Sequence, residues 1–351
     1  MSDPRKKKSS AEGLLQGIPG APEVRNNNVD VLRGFAALAV ALYHFSRSDY
    51  LGNSLLGHAL HFGYLGVHAF FVVSGFVIPL ALARARGGIK PAAKPNRLWH
   101  RFLINRWLRL YPAFAASALL TIALWYVSAW MPNFRGGQPS FSWAQLFSNA
   151  TLSCDLTNTA WINPVFWTLG VEAQYYIIIA LCITWLSSSR RWLRSATLLL
   201  WIAAPLMAPW HGTFLPFGAT FALGIIFFQK SIGLISTVET TLWAAAAILV
   251  SILHGDFAIA GASGASFLFL AIVPQLKWRL LLSIGAVSYS LYLLHVPIGG
   301  RIINLSEHFT LPWIGRVGAV AAALAASLAA AAIFYRLIEK PSHEAARRWS
   351  R

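Results

Sequence analysis

Residues 29–45 read VDVLRGFAALAVALYHF, an apolar run that holds one arginine, Arg33, and one histidine, His44, eleven positions apart. A run of this composition, extended by its flanks, is a membrane-spanning helix, because about twenty mostly apolar residues cross the hydrocarbon. The whole chain agrees. Of its 351 residues 56% are hydrophobic and 12% charged, whereas about a quarter of the residues of a soluble domain are charged. The formal charge of +17 would suit a nucleic-acid binder if the basic residues formed one face of a soluble fold. They fall instead between apolar segments, where membrane topology places them. Two cysteines, Cys154 and Cys182, define neither a disulfide framework nor a zinc site.

About ten candidate spans follow from length and hydropathy: 31–48, 62–83, 102–130, 164–187, 195–210, 213–229, 240–254, 257–276, 280–300 and 315–338. The fold class expected is therefore an all-α polytopic membrane protein, a bundle of about ten transmembrane helices. Lysine and arginine are retained on the cytoplasmic side of short loops. With the N-terminus inside, the inner segments hold the leader cations, the block RARGGIKPAAKPNRLWHR, SRRWLR, Lys230, Lys277, Arg279 and the tail EKPSHEAARRWSR. The outer loops hold little besides Arg47, Arg135, Arg301 and Arg316. Both termini are thus expected to be cytoplasmic, in a plasma membrane. The expected division is a disordered basic tail over 1–28, a transmembrane domain over 29–342 and a short cytoplasmic tail over 343–351. No cleavable signal peptide is expected, since the leader is polar and lacks a small-residue cleavage site. The longest outer loop, MPNFRGGQPSFSWAQLFSNATLSCDLTNTAWIN, has room for a short lid or re-entrant piece.

Charge at membrane depth costs a few kcal/mol per residue and is rare for that reason. Glu172 is the only acidic residue well inside an expected span, and Arg33, His44, His68 and His295 are the other ionisable candidates. With Arg33 at the inner interface, a rise of 1.5 Å per residue puts His44 about 16 Å further out, and Glu172 about 12 Å below the outer surface. His295 reaches the same half, so a shared polar cavity is expected for His44, Glu172 and His295. Each has a plainer explanation too. The histidines can be helix-to-helix hydrogen bonders, and Arg33 can snorkel to the headgroups. A metal site from His58, His61 and His68 is disfavoured, because two of the three lie in a loop and no carboxylate accompanies them. The chemistry that fits is proton transfer, with histidine as base, carboxylate as its partner and arginine for a phosphate or oxyanion. It suits an acyl or phosphoryl transferase, and equally a proton-coupled transporter.

Several motifs together resemble the inner-membrane acyltransferase-3 family, which includes O-acetylases of bacterial surface glycans. Arg33 and His44 have the spacing of that family's opening helix, and FFVVSGFVI is similar to its SGF segment, with Ser74 and Gly75. FLINRWLRLYP resembles its arginine-rich entry through Arg106, Arg109, Tyr111 and Pro112, with Asn105 where many members have arginine. FWTLGVEAQYY resembles the segment carrying its intramembrane glutamate, which puts that role on Glu172, with Trp167 and Tyr176 around it. SYSLYLLHVPI and YRLIEKP match its late motifs through Tyr289, Ser290, Tyr292 and His295. The resemblance spans residues 29–342.

The resemblance implies a cytoplasmic acyl-CoA donor, usually acetyl-CoA, a sugar-containing hydroxyl acceptor, no tightly bound cofactor and no metal. It implies catalytic roles for His44 and Glu172, with direct transfer and a transient acyl-histidine both open. Arg33, Arg106 and Arg109 suit the phosphates of CoA, while Lys90, Lys94, Arg97 and Arg101 are assigned to topology or anionic lipid. Ser74, Trp167, Tyr176, Tyr292 and His295 are expected near the cavity, with Ser74 a packing residue beside Gly75. Since the chain ends soon after its last span, it is expected to be a stand-alone member without an appended periplasmic domain. The competing function is a proton-coupled transporter or flippase of a glycan or small metabolite. A non-catalytic scaffold gives no reason to bury Glu172.

Overall fold

Helix α1, Asn27–Ser46, begins where the Asn26 side chain accepts the Asn28 backbone N–H at 3.0 Å, with Asp30 in its first turn. An acceptor and an acid there satisfy the exposed N–H groups of a helix start. Asn28 is fully buried and ties this end to a distant loop, donating to the Val273 carbonyl at 2.7 Å and accepting from Leu276 N–H at 2.9 Å. A computed structural model of the chain describes residues 26–46, 50–85, 98–131, 137–207, 212–255 and 257–349. Of the disordered tail expected over 1–28, residues 1–25 lie outside them, as do the topological residues Arg47, Lys90, Lys94, Arg97 and Arg135, whereas Asn27 and Asn28 already belong to α1.

The described residues are helical, with no strand among them. After α1 come α2 (Leu55–His61), α3 (Gly66–Ala85), α4 (Leu98–Ala129), α5 (Trp143–Ala150), α6 (Trp167–Leu186) and α7 (Arg191–Ala203). Then follow α8 (Gly218–Ser231), α9 (Thr237–Leu253), α10 (Phe257–Ile272), α11 (Arg279–Ala286), α12 (Ser288–Leu294), α13 (Gly300–Ser306), α14 (Trp313–Phe334) and α15 (Lys340–Trp349). Among the described residues five helical segments are long and apolar enough to cross a membrane, and the bent α11 to α13 unit, if taken as one span, makes a sixth. Helices α9 and α10 are apolar but shorter. The longest expected outer loop contains α5, and Asn163 pins its end by donating to the Leu293 carbonyl at 3.1 Å.

Helix α8 is buried over most of its length, and α3 lies directly against it. The contact is backbone to backbone. A Cβ on Gly75 would collide with the Phe221 carbonyl oxygen, and one on Gly224 with that of Val72. Small residues at both crossing points allow this approach, which supplies the dispersion contact that lipid cannot.

The span expected as continuous over 280–300 is instead broken, with a 61° bend between α11 and the segment from Ser288 to Ser306. Gly285 touches the Asp30 carbonyl of α1, and the Ser288 hydroxyl caps the Gly285 carbonyl at 2.8 Å. Two π-helical turns follow in the chain, His295–Gly299 and Tyr335–Glu339. Pro297 lies in the first, and Pro341 follows the second. Proline removes a donor and crowds the preceding turn, and a widened turn relieves both. The last helix also outruns its apolar stretch, so the boundary expected between residues 342 and 343 falls inside α15.

Candidate active site

Helix α6 sets out the site at four-residue intervals. Thr168, Glu172 and Tyr176 fall on one face, successive residues separated by about 6 Å of rise. Each meets a partner from another helix. Thr168 Oγ1 lies 2.8 Å from the Tyr292 hydroxyl of α12, and that hydroxyl also donates to the Val165 carbonyl at 3.2 Å. Glu172 Oε1 accepts from the Ser74 hydroxyl of α3 at 2.7 Å. Tyr176 lies under the Arg106 guanidinium of α4, 5.7 Å from the ring centroid, with Phe102 at 5.4 Å. Such a cation over two rings is held without consuming its hydrogen-bond donors.

All of these except Val165 and Phe102 line one cavity of about 510 Å³, a size typical of ligand pockets. Arg33, Arg84, Arg106, Arg109 and Arg347 also line it, drawn from α1, α3, α4 and α15. Tyr292 and Thr168 line it as well, two turns of α6 away from Tyr176. One region of the cavity is thus cationic, and another is lined by hydroxyls and aromatic rings.

Tyr292 is the residue common to the cavity and to a histidine pair. Its ring centroid is 5.7 Å from that of His295, which is buried to 1% exposure. His295 Nδ1 lies 3.1 Å from the Leu291 carbonyl, so that nitrogen carries the proton and Nε2 is an acceptor. His295 Nε2 in turn lies 3.3 Å from His44 Nδ1, which is also 2.9 Å from the Val40 carbonyl. His44 therefore carries its proton on Nδ1, directed at two acceptors. In the neutral ring this leaves the lone pair on Nε2, the form a general base requires. The backbone carbonyls of two helices select both tautomers.

The placement differs in detail from the shared cavity expected for His44, Glu172 and His295. His44 and His295 meet each other, but neither lines the cavity that holds Glu172. Trp167 also stands off it, packed between Phe71 and Phe217. Ser74, expected near the cavity as a packing residue, lines it and donates to Glu172, and Gly75 makes the close backbone contact. His58, His61 and His68 do not converge. His68 is buried against Phe71 and Phe217, whereas His61 faces Tyr43 and Tyr64. Among the described residues no group of three His, Cys, Asp or Glu is arranged to hold a metal.

The structure adds residues that the sequence does not single out. Glu339 is a buried carboxylate at 2% exposure, where Glu172 is half-buried, and it accepts from the backbone and hydroxyl of Ser290. His343 Nε2 accepts from Arg109 Nε at 3.1 Å and lies 3.6 Å from Glu339. Glu339, His343 and Arg347 recur every four residues and all line the cavity. That spacing is visible in the sequence, but it begins where the apolar run stops.

A model of the acyltransferase domain Acyl_transf_3 matches residues 26–336. The chain belongs to the acyltransferase-3 family. This acyltransferase is similar to Nodulation protein 10 of Rhizobium leguminosarum bv. viciae, with 25% identity over 370 aligned positions, 90% of this chain and 93% of that protein. It is also 28% identical to O-acetyltransferase OatA of Staphylococcus aureus strain NCTC 8325 over 166 residues, which cover 45% of this chain and 24% of that protein. No solved structure matches the acyltransferase. The family match takes in the histidine pair, Glu172 and four of the five cavity arginines, and stops short of Glu339, His343 and Arg347.

Proposed function

We propose that this acyltransferase moves an acyl group, most simply acetyl, from acyl-CoA to a hydroxyl of a sugar-containing acceptor. The observation that carries this is one cavity lined by five arginines and also by Tyr292, which touches the histidine pair. The phosphates of CoA are bound by guanidinium forks, which match their geometry. The uncharged pantetheine arm then runs along the α6 face, past Tyr176, Glu172 and Thr168, and brings the thioester towards Tyr292 and His44. On this reading the arginines and both termini face the cytoplasmic side of a bacterial inner membrane, where acyl-CoA is supplied.

In this mechanism His44 Nε2 removes the proton from the acceptor hydroxyl, whose oxygen attacks the thioester carbonyl. The tetrahedral intermediate collapses with loss of the CoA thiolate. The His44 imidazolium returns the proton to that sulfur, so free CoA and an ester are the products. His295 acts as a positioning residue, holding the His44 proton on Nδ1 and accepting from the imidazolium. Glu172, oriented by Ser74, supplies negative charge in the cavity and balances the arginines while the neutral arm passes.

The test is release of CoA from acetyl-CoA by the purified protein in detergent, with mixed cell-envelope glycans as acceptor, comparing wild type with His44→Ala. Turnover that requires His44 while the variant still binds donor supports the transferase. Absence of acetyl-CoA binding by the wild type, with glycan movement seen only in sealed vesicles, would replace it by a transporter.

A further inference from the structure

Helix α15 follows the last long apolar helix and packs against α4, the helix that carries Arg106 and Arg109. It lies beyond the residues matched by the family model. Its sequence, KPSHEAARRW, is polar, and Ser342 and Ala346 are the residues it buries. His343 and Arg347 lie one position further along, on the adjacent face that also borders the cavity.

The contacts give this helix a specific place in the site. His343 uses its Nε2 lone pair to hold the Nε–H of Arg109, and Glu339 sits one turn earlier with Ser290 fixing its carboxylate. The contact engages the Nε edge of Arg109 and spares the edge formed by its two terminal amino groups. That edge still offers two parallel N–H donors for bidentate contact with a phosphate. Arg347, one turn beyond His343, is exposed at the mouth of the same cavity, as is Arg84 at the end of α3.

We propose that α15 forms the wall of the donor site that recognises the phosphorylated nucleotide end of the donor. Arg347 binds phosphate there, and His343 is a positioning residue that aims Arg109. The proposal rests on the acyl-CoA reading above and extends it to the residues that distinguish CoA from an unphosphorylated pantetheine thioester. Phosphate on an anionic lipid headgroup has the same chemistry, so the two sources must be separated.

The experiment measures KM for acetyl-CoA and for S-acetylpantetheine with the full-length protein in lipid-free detergent. Arg347→Ala is expected to raise KM for acetyl-CoA by about tenfold, the effect of losing one charge-assisted contact. KM for S-acetylpantetheine, which has no phosphate, should stay within about twofold of wild type on the same scale. His343→Ala should raise KM for acetyl-CoA, and His343→Gln, which keeps an acceptor for Arg109, should restore part of it. Arg348→Ala on the same helix removes an equal charge away from the cavity and is the control.

A selective rise in KM supports the proposal. Equal KM values for Arg347→Ala and wild type overturn it while leaving the acyl-CoA reading intact. An effect of Arg347→Ala seen only when anionic lipid is added reassigns the residue to a headgroup and also overturns it. A wild type that binds no acetyl-CoA removes the donor reading and this proposal together. Thermal unfolding of each variant separates loss of binding from loss of fold.

Discussion

The histidine pair and the arginine-lined cavity adjoin at Tyr292, yet they are built in opposite ways. In the pair, ring nitrogens meet each other or a backbone carbonyl within 3.3 Å, and His295 has almost no exposed surface. In the cavity, five arginines from four helices surround an open volume of about 510 Å³. The contrast fits the tasks proposed for them. A base must hold one tautomer at one position, which rigid backbone acceptors provide. An anion with several phosphates needs room and several donors, which long guanidinium side chains provide.

The sharpest way to break this comparison is to remove His44. His44→Ala should lower kcat by about 10³- to 10⁴-fold, within the range for a general base, with acetyl-CoA affinity preserved in a direct binding titration. Loss of affinity instead would mean that the pair belongs to the donor pocket. His295→Ala should lower kcat by about 10²-fold, less than His44→Ala, because it removes orientation and leaves the base in place. A rise in the KM for acetyl-CoA with unchanged kcat would contradict a positioning role.

Arg33→Ala and Arg106→Ala should act on the other side of the comparison, each raising KM for acetyl-CoA by about tenfold. Raising ionic strength should weaken donor binding to the wild type as well, since charges at an open mouth are screened within about 8–10 Å. A KM indifferent to salt would argue that the arginines serve topology alone. Ser74→Ala should cost about 1 kcal/mol of Glu172 orientation, roughly a fivefold effect on kcat/KM. The smallest expected effect is remote from both regions. Ser236 and Glu239 form a reciprocal cap at the start of α9, so Ser236→Ala should lower stability by about 1 kcal/mol in thermal unfolding and change neither kcat nor KM.

Much of the architecture is legible in the order of residues. Each long apolar run is a helix near its expected place, and the outer loop forms the short helix α5. Span 280–300 misleads because hydropathy reports apolar length, not direction. The bend lies where Gly285 packs against the backbone of Asp30 of α1, which is 255 residues away in the chain. Glu339 escapes notice for a related reason. It lies just past the end of the last apolar run, and only the continuation of the helix through the π turn and α15 encloses it. Ser74 looks like a packing residue because its neighbour Gly75 is one, and the hydroxyl's partner lies 98 residues further on.

By itself the sequence determined that this is an all-helical membrane protein, that it belongs with the acyltransferases, and that Arg33, His44, Glu172 and His295 stand apart in their apolar runs. These properties are local, since apolar length and the scarcity of charge can be counted along one segment. Only the tertiary structure decided which of those residues meet. His44 and His295 are 251 residues apart and touch, while Glu172 turns to Ser74. The physical reason lies in the solvent. In water a polar stripe marks the outer face of a helix, but in lipid that face is as apolar as the core. On α6 the exposed positions include Ile177, Leu181 and Trp185 and the buried ones include Ile179, Ala180 and Ile183. No periodicity in the sequence separates them, so the inward direction of each helix is set by packing against its neighbours.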